Sequence, residues 1–274
     1  MKWRVINSGI NSAAVNMAVD EAILTAHAQG DVPPTLRFYG WEPAAVSLGY
    51  FQQAAAEVNL ERCRSQGIDV VRRLTGGRAV LHQHELTYSV VVRADQPLIP
   101  ATITASYRYF SEGILAGLRN LGIEAAMSVP RAAYGQTKRT HTSSACFDAP
   151  SHYEITVQGK KLVGSAQVRK DGVILQHGSI LLTFDPALVA SLLNLPSPEA
   201  RGRVAEMLAQ RAIALADAAG REISWQQACQ SMLTGFGPAL GIELEPGVLS
   251  QQEEETAAEL ARNKYSQEHW NFRR

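Results

Sequence analysis

Three thiols, Cys63, Cys146 and Cys229, are the soft nucleophiles of this sequence. A cysteine reacts as thiolate, so a working one needs partial exposure and positive charge nearby. Cys63 lies one helical turn after Leu60, and Cys229 falls between Trp225 and Met232 at helical spacing. Free cysteine is among the most buried residue types, and both read as core filler. Cys146 differs, because it follows the polar run Thr-His-Thr-Ser-Ser-Ala at 140–145 and precedes Phe147-Asp148. Lys138, Arg139 and His141 are near it in sequence, and Lys161 opens a later strand. This setting suits a thiolate nucleophile. The local pattern leaves open whether Cys146 is one, and strand reading alone does not bring it to Lys161.

A second segment with chemical potential is Arg-Arg-Leu-Thr-Gly-Gly-Arg-Ala-Val-Leu-His at 72–82. Paired glycines let backbone approach a ligand closely, and Arg72, Arg73 and Arg78 would favour a carboxylate or phosphate. The spacing is not that of a P-loop. A tight hairpin with solvated arginines is the plainer alternative. His82 and His84 form an HxH pair without the further ligands a metal site needs, so no metal is expected. His177-Gly178 falls in mid-strand, where glycine permits close approach of a ligand or another backbone; a satisfied structural histidine is the simpler role there.

These groups need elements to hold them. Val15, Ala18, Val19, Ala22, Ile23 and Ala26 recur at helical spacing, with Asn11 or Ser12 as cap and Gly30 as stop. Strands are expected at 35–39, 45–49, 68–73 and 86–93, the last with Tyr88, Val90 and Val92 on one face. Helices are expected at 57–66 and 102–121, and a polar loop at 134–144. A meander follows at 153–157, 161–169 and 173–183, turning at Gln158-Gly159 and Asp171-Gly172, a strong hairpin signal. The remainder reads as helical, at 186–193, 199–218, 225–236 and 251–264. Hairpin-joined strands with flanking helices predict an α+β fold with a mixed, mostly antiparallel sheet. The only plausible boundary is at 195–200, where two prolines sit between helices.

Composition bounds the possibilities. The chain has 274 residues, 46% hydrophobic and 19% charged, an ordinary globular profile. Lys plus Arg and Asp plus Glu are 26 each, and such a balance argues against a dedicated nucleic-acid binder. Three widely spaced cysteines do not make a disulfide framework, and reduced thiols point to the cytoplasm. The N-terminus lacks a signal peptide's apolar region. No apolar run nears the roughly 20 residues needed to span a bilayer, so no membrane association is expected.

Taken in order, these segments resemble the lipoate and biotin protein ligase superfamily, in particular its cysteine-dependent octanoyltransferase branch. The resemblance rests on the 72–82 segment, Glu-Leu-Thr-Tyr-Ser at 85–89, Ser-Ala-Cys-Phe-Asp at 144–148, Lys-Lys-Leu-Val-Gly-Ser-Ala-Gln at 160–167 and Gly-Val-Ile-Leu-Gln-His-Gly-Ser at 172–179. Asn-Met-Ala-Val-Asp at 16–20 and Asn-Lys-Tyr at 263–265 also look familial. The glycine and lysine motifs are common to the superfamily, and Ser-Ala-Cys-Phe is the more specific one.

The resemblance implies one catalytic domain over 1–274 of biotin/lipoate ligase type, helical from about 199. It implies that Cys146 takes an octanoyl group from acyl carrier protein as a thioester. A lysine of a lipoyl carrier protein, usually the glycine cleavage H protein, would then receive it for lipoate biosynthesis. Lys161 matches the family's motif lysine and would lower the thiol pKa and orient the acyl carbonyl. Arg72, Arg73, Thr75, Gly76, Gly77, Arg78, Ala79 and His82 would form one wall of the acyl pocket. Gly164, Ser165, Ala166, His177 and Gly178 would lie beside it. No cofactor and no ATP are implied, because the donor thioester is already activated. Lys138, Arg139, Arg72, Arg73 and Arg78 would steer the acidic carrier. Three alternatives remain: an ATP-dependent lipoate–protein ligase, an octanoyl amidotransferase between carrier domains, and a silent carrier-binding module.

Overall fold

Side-chain alternation and a few turn residues decide most of the architecture. The computed structural model of the chain describes residues 1–128 and 154–273. Cys146, the loop expected at 134–144 and the cations Lys138 and Arg139 lie outside the described residues. The chain opens with β1 (Lys2–Asn11), helix α1 (Ala13–Gln29) and β2 (Thr35–Trp41). Next come β3 (Ala45–Leu48), the short helices α2 (Ala54–Glu57) and α3 (Leu60–Ser65), then β4 (Asp69–Arg72) and β5 (Val80–His82). β6 (Glu85–Arg93) leads through α4 (Ile103–Asn120) to β7 (Ala126–Ser128). The meander is β8 (Glu154–Val157), β9 (Lys160–Lys170) and β10 (Val173–Leu181). The remainder carries α5 (Pro186–Leu192), α6 (Pro198–Arg211), α7 (Leu215–Ala219), α8 (Trp225–Leu240), β11 (Glu243–Pro246), α9 (Gln251–Leu260), a π-helical turn (Ala261–Tyr265) and α10 (Glu268–Asn271).

Among the described residues the main sheet has the order β11-β1-β2-β6-β10-β9-β8-β7. β1 runs parallel to β11 and β2, and the remaining neighbours are antiparallel, giving the expected mixed, mostly antiparallel sheet. A second sheet, β4-β3-β5, stands beside it. The meander turns as read: Gln158 and Asp171 have φ of 51° and 52°, each followed by a positive-φ glycine. Period-two alternation splits β6 between two cores. Tyr88, Val90 and Val92 pack with Phe110, Ile114 and Phe236 of α4 and α8, whereas Val91 joins Val19 and Ile23 of α1 on the other face. Cys229 belongs to the first of these cores, and Cys63 to the one under β3 and β4. Burial pushes both thiols up to about 11, as suits inert fillers.

Several elements depart from the sequence reading. β1 was not expected, because its burial does not alternate cleanly and Asn7, Ser8 and Gly9 interrupt it. The helix expected at 57–66 is two pieces, since Val58 leaves the helix to bridge Leu193 and Asn59 caps α3 through Arg62 N at 3.0 Å. The helix expected at 199–218 breaks at Ala212. That residue bridges Lys161, and Ile213 N donates to Lys161 O at 3.0 Å, so strand-like pairing outweighs helix propensity there. β11 falls between the helices expected at 225–236 and 251–264, where no strand was read. Across the prolines at 195–200, Ala190, Leu193, Val204 and Leu208 share one cluster with Val80 and Leu181. Among the described residues no helix is long and apolar enough to cross a membrane.

Candidate active site

Three neighbouring strands meet in register to form the floor of the site. Ser89, His177 and Ala166 lie side by side, as do Tyr88, Gly178 and Ser165, and Thr87, Ser179 and Gly164. A Cβ at Gly178 would run into Ser165 Oγ, the Tyr88 ring and the Gly164 carbonyl, so only glycine leaves this row open. Over the floor stands the turn between β4 and β5. Gly77, at φ 97°, passes so close to Gly49 that a Cβ on Gly49 would meet the Gly77 carbonyl. Between floor and turn is a small cavity, open to solvent at its mouth. Arg73, Gly77, His82, Gly164, Ser165, Ala166, His177 and Gly178 line it together with Met17, Tyr39, Trp41, Ser47, Val80, Thr87 and Ser179.

The expected arginines take other roles. Arg72 is fully buried and donates to the carbonyls of Gly49, Tyr50, Gln52, Trp270 and Asn271 at 2.8–3.2 Å. It is an internal tie between β4, the 49–52 segment and α10, neither a pocket wall nor a steering charge. Arg73 is also buried, at 4% exposure. Its guanidinium donates to Ser47 O and Oγ, Thr75 Oγ1, Gly76 O and Arg78 O at 2.7–3.1 Å, setting the shape of the glycine turn from beneath. Both guanidiniums are engaged with internal oxygens rather than set on a surface that a carrier could touch, which corrects the contact role expected of them. Arg78 is half-buried. Thr75 and Ala79 are buried in the turn, Gly76 is half-buried, and neither Thr75, Gly76 nor Ala79 lines the cavity.

Two buried chains of polar groups back the cavity. In one, Asp20 of α1 accepts from Arg37 Nη1 at 2.7 Å, Ser89 Oγ at 2.8 Å and Tyr39 OH at 2.9 Å, and lies 3.3 Å from His177 Nδ1. The far nitrogen of His177 is 2.7 Å from Thr75 Oγ1. Burial acts to raise the Asp20 carboxyl, but Arg37, His177 and Ser89 outweigh it and hold it below its ordinary value. Burial likewise lowers His177 despite the Asp20 carboxylate. In the other chain Glu85 faces His82 Nδ1 at 2.7 Å, and His82 Nε2 faces Ser47 Oγ at 2.7 Å. Glu85 also accepts from Thr87 and Ser179, and Trp41 stacks on His82 at 4.1 Å. His82 is thus buried while His84 is exposed. Among the described residues no three His, Cys, Asp or Glu side chains are placed to hold a metal.

Lys161 lies outside the cavity lining, on the strand that carries Gly164, Ser165 and Ala166. It is 5% exposed, and its Nζ donates to Glu154 Oε1 at 2.7 Å. Its backbone is pinned by the bridge to Ala212. Sequence reading missed Glu154, Asp20, Arg37, Ser47, Trp41 and Met17 as parts of the site. Asp20 and Met17 sat in a motif already noted at 16–20, and an acidic residue in an apolar helical stripe was the available signal.

The fold, the strand row under a glycine turn and the buried lysine define a class. The lipoyl protein ligase A/B catalytic domain matches residues 12–237, and the chain belongs to this family. Octanoyltransferase LipM of Kyrpidia tusciae is 50% identical to it over 272 residues, 99% of each chain. A bipartite lipoate protein ligase of Thermoplasma acidophilum superposes with a TM-score of 0.82 at 28% identity, over 99% of this chain and 96% of that one. A lipoate-protein ligase A bound with ATP gives 0.79 at 29% identity, over 99% of both chains.

Proposed function

We propose that this chain transfers an octanoyl group from the thioester of acyl carrier protein to a lysine of a lipoyl carrier protein, through an acyl-thioester on Cys146. The acceptor is the glycine cleavage H protein, the product serves lipoate assembly, and the reaction belongs in the cytoplasm, where thiols stay reduced. The whole of 1–274 acts as one catalytic domain. Full-length 50% identity to an octanoyltransferase supports the transfer chemistry.

The observation that carries the reading is the cavity between the glycine turn and the β6–β10–β9 row. Met17, Tyr39, Trp41 and Val80 give it apolar walls, and Gly164 and Gly178 leave room for a chain. Burying the six methylenes of an octanoyl group at about 0.8 kcal/mol each is worth about 5 kcal/mol. Polar groups at the rim orient the carbonyl. Cys146 Sγ attacks the donor carbonyl, the donor C–S bond breaks, and the carrier thiolate takes a proton as it leaves. The acceptor amine then attacks the new thioester, the C–N bond forms with loss of the amine proton, and the Cys146 thiolate departs. Lys161 stabilises that thiolate as a nearby cation. Glu154 accepts from the Lys161 ammonium in these buried surroundings.

An ATP-dependent ligase is the competing reading, supported by likeness to the lipoate-protein ligase A bound with ATP. Intact-mass measurement separates the two. Incubation with octanoyl-acyl carrier protein, without ATP, is expected to give a hydroxylamine-labile octanoyl adduct that Cys146→Ala abolishes. Undiminished transfer by Cys146→Ala, with ATP required, overturns the transferase reading in favour of the ligase.

A further inference from the structure

A second hollow adjoins the cavity, and Val80 lines both. Leu81, Leu181 and Val189 give the hollow apolar walls, and Gln83, His84 and Thr183 stand at its rim. The three rim residues are exposed, and their side chains make no hydrogen bond among the described residues. Ala79 and the first two residues of β5 line the hollow in succession. Successive side chains of a strand point to opposite faces, so a hollow that meets all three meets the strand at its edge. β5 is the edge strand of the sheet β4-β3-β5, and such an edge offers backbone N–H and C=O groups to an extended ligand.

The two hollows lie in order along the strands. On β10, His177, Gly178 and Ser179 line the cavity, and Leu181, followed by Thr183 and Asp185, lines the hollow. β9 runs antiparallel beside it, with Gly164 against Ser179 and Val163 against Ile180. Lys161 comes two residues beyond Val163, in the direction of the hollow. Its bridge partner Ala212 shares a core cluster with Val80 and Leu181. Cavity, lysine and hollow therefore follow one another. A thioester carries its acyl chain and its thiol on opposite sides of the reacting carbonyl. With the acyl chain in the cavity and the carbonyl toward Lys161, the thiol side is directed into the hollow. Charge then selects what that side can be. The described lining contains two carboxylates, Glu85 and Asp185, and no Lys or Arg. Such walls repel the phosphate chain of a nucleotide and suit an uncharged chain of methylenes and amides.

We propose that this hollow binds the pantetheine arm of the acyl donor, the uncharged chain with two amides whose thiol carries the octanoyl group. Its amides pair with the β5 edge and with Gln83, His84 and Thr183, and the phosphate that joins the arm to its carrier stays in solvent. The proposal rests on the reading that the cavity takes the acyl group of a carrier-bound thioester.

Two donors with the same octanoyl thioester test this on the full chain. S-octanoylpantetheine has both amides of the arm, and S-octanoyl-N-acetylcysteamine has only the one nearer the sulfur. Adduct formation on Cys146, followed by intact mass, is expected to be at least about tenfold faster with the pantetheine donor at equal concentration, as two net hydrogen bonds supply. Thr183→Trp, at the exposed rim, and Val189→Phe, from α5, each fill the hollow and bring the ratio of the two rates near one. The ratio is taken within one protein, so a general loss of activity or stability does not imitate this result. A ratio near one in the wild type overturns the proposal, as does the wild-type ratio in both variants. Saturable ATP binding that both variants abolish assigns the hollow to a nucleotide and overturns it too. If neither donor acylates Cys146, the transferase reading fails instead. Calorimetric titration with pantetheine alone then decides the hollow: binding that Thr183→Trp abolishes supports the proposal, and no binding overturns it.

Discussion

Lys161 Nζ donates to Glu154 Oε1 at 2.7 Å, and neither side chain is more than a tenth exposed. A pair held this far from water is costly to half-remove, because the remaining charge stays buried and loses this contact. Lys161→Ala and Glu154→Gln are each expected to lower unfolding free energy by about 3–5 kcal/mol, read from urea titrations. Lys161→Met combined with Glu154→Leu should recover most of that loss. Single variants as stable as the wild type would show that the pair does not bear on folding.

The same lysine gives a kinetic prediction. Cys63 and Cys229 are buried with thiols pushed up to about 11, so slow alkylation by them leaves Cys146 as the reactive thiol. Iodoacetamide rates against pH should shift to higher pH in Lys161→Ala, and octanoyl-adduct formation should slow in step. Superimposable curves for the two proteins would remove the electrostatic role of Lys161.

Gly178→Ala asks whether the strand row must stay open. The added methyl meets Ser165 Oγ, the Tyr88 ring and the Gly164 carbonyl at once, and all three residues belong to strands of the main sheet. Overpacking of this kind costs about 1–3 kcal/mol. A melting-temperature drop with loss of octanamide binding is the expected result. Wild-type affinity in a folded Gly178→Ala protein would place the ligand elsewhere.

Stability should fall with acid in two stages. Burial, the largest influence on each, lowers His27 and His177 from 6.5, so the unfolded chain binds protons there before the folded one does. Their stabilisation is complete above about pH 6.5 and diminishes as pH drops below it, by at most about 1.4 kcal/mol per unit for each ring. For Asp20, Glu21 and Glu253 burial opposes ionisation, but their ion pairs and hydrogen bonds outweigh it and lower them from 3.8 and 4.5. Their contribution is present above those values and is lost as pH falls further. Urea midpoints measured from pH 8 to pH 3.5 should therefore decline first below 6.5 and again below 4.5. A midpoint that rises between pH 7.5 and 5.5 would contradict the neutral burial of the two rings.

What the sequence disclosed and what it hid divide along a physical line. The turns at Gln158-Gly159 and Asp171-Gly172 were legible because two adjacent residues dictate them. The faces of β6 were legible because alternation is local. Ala212 was not, since what breaks the helix is a carbonyl on Lys161, reached only in the fold. Arg72 and Arg73 read as solvated charge because nothing nearby in sequence announces the carbonyls that surround them. The glycine turn, His177-Gly178 and the 164–166 segment could be named as a pocket from their motifs. Asp20, Glu85 and Ser47, which lie within hydrogen-bond reach of the two histidines of that pocket, had no local signature strong enough to enter it.

Arg72 and Asn271 are joined twice, by Arg72 N donating to Asn271 Oδ1 and Arg72 Nη2 donating to Asn271 O, both at 2.9 Å. Trp270 Nε1 returns a bond to Arg72 O at 2.9 Å, and Arg273 lies against the rings of Tyr50 and Trp270. These partners are 199 positions apart in the chain. At a ribosomal pace of about 5–20 residues per second, Arg72 is made about 10–40 seconds before Asn271. During synthesis the strand leading into the glycine turn therefore has the 49–52 carbonyls for its guanidinium long before those of α10. The tie that fastens the base of the turn to α10 is thus completed by a segment made long after the strand it supports.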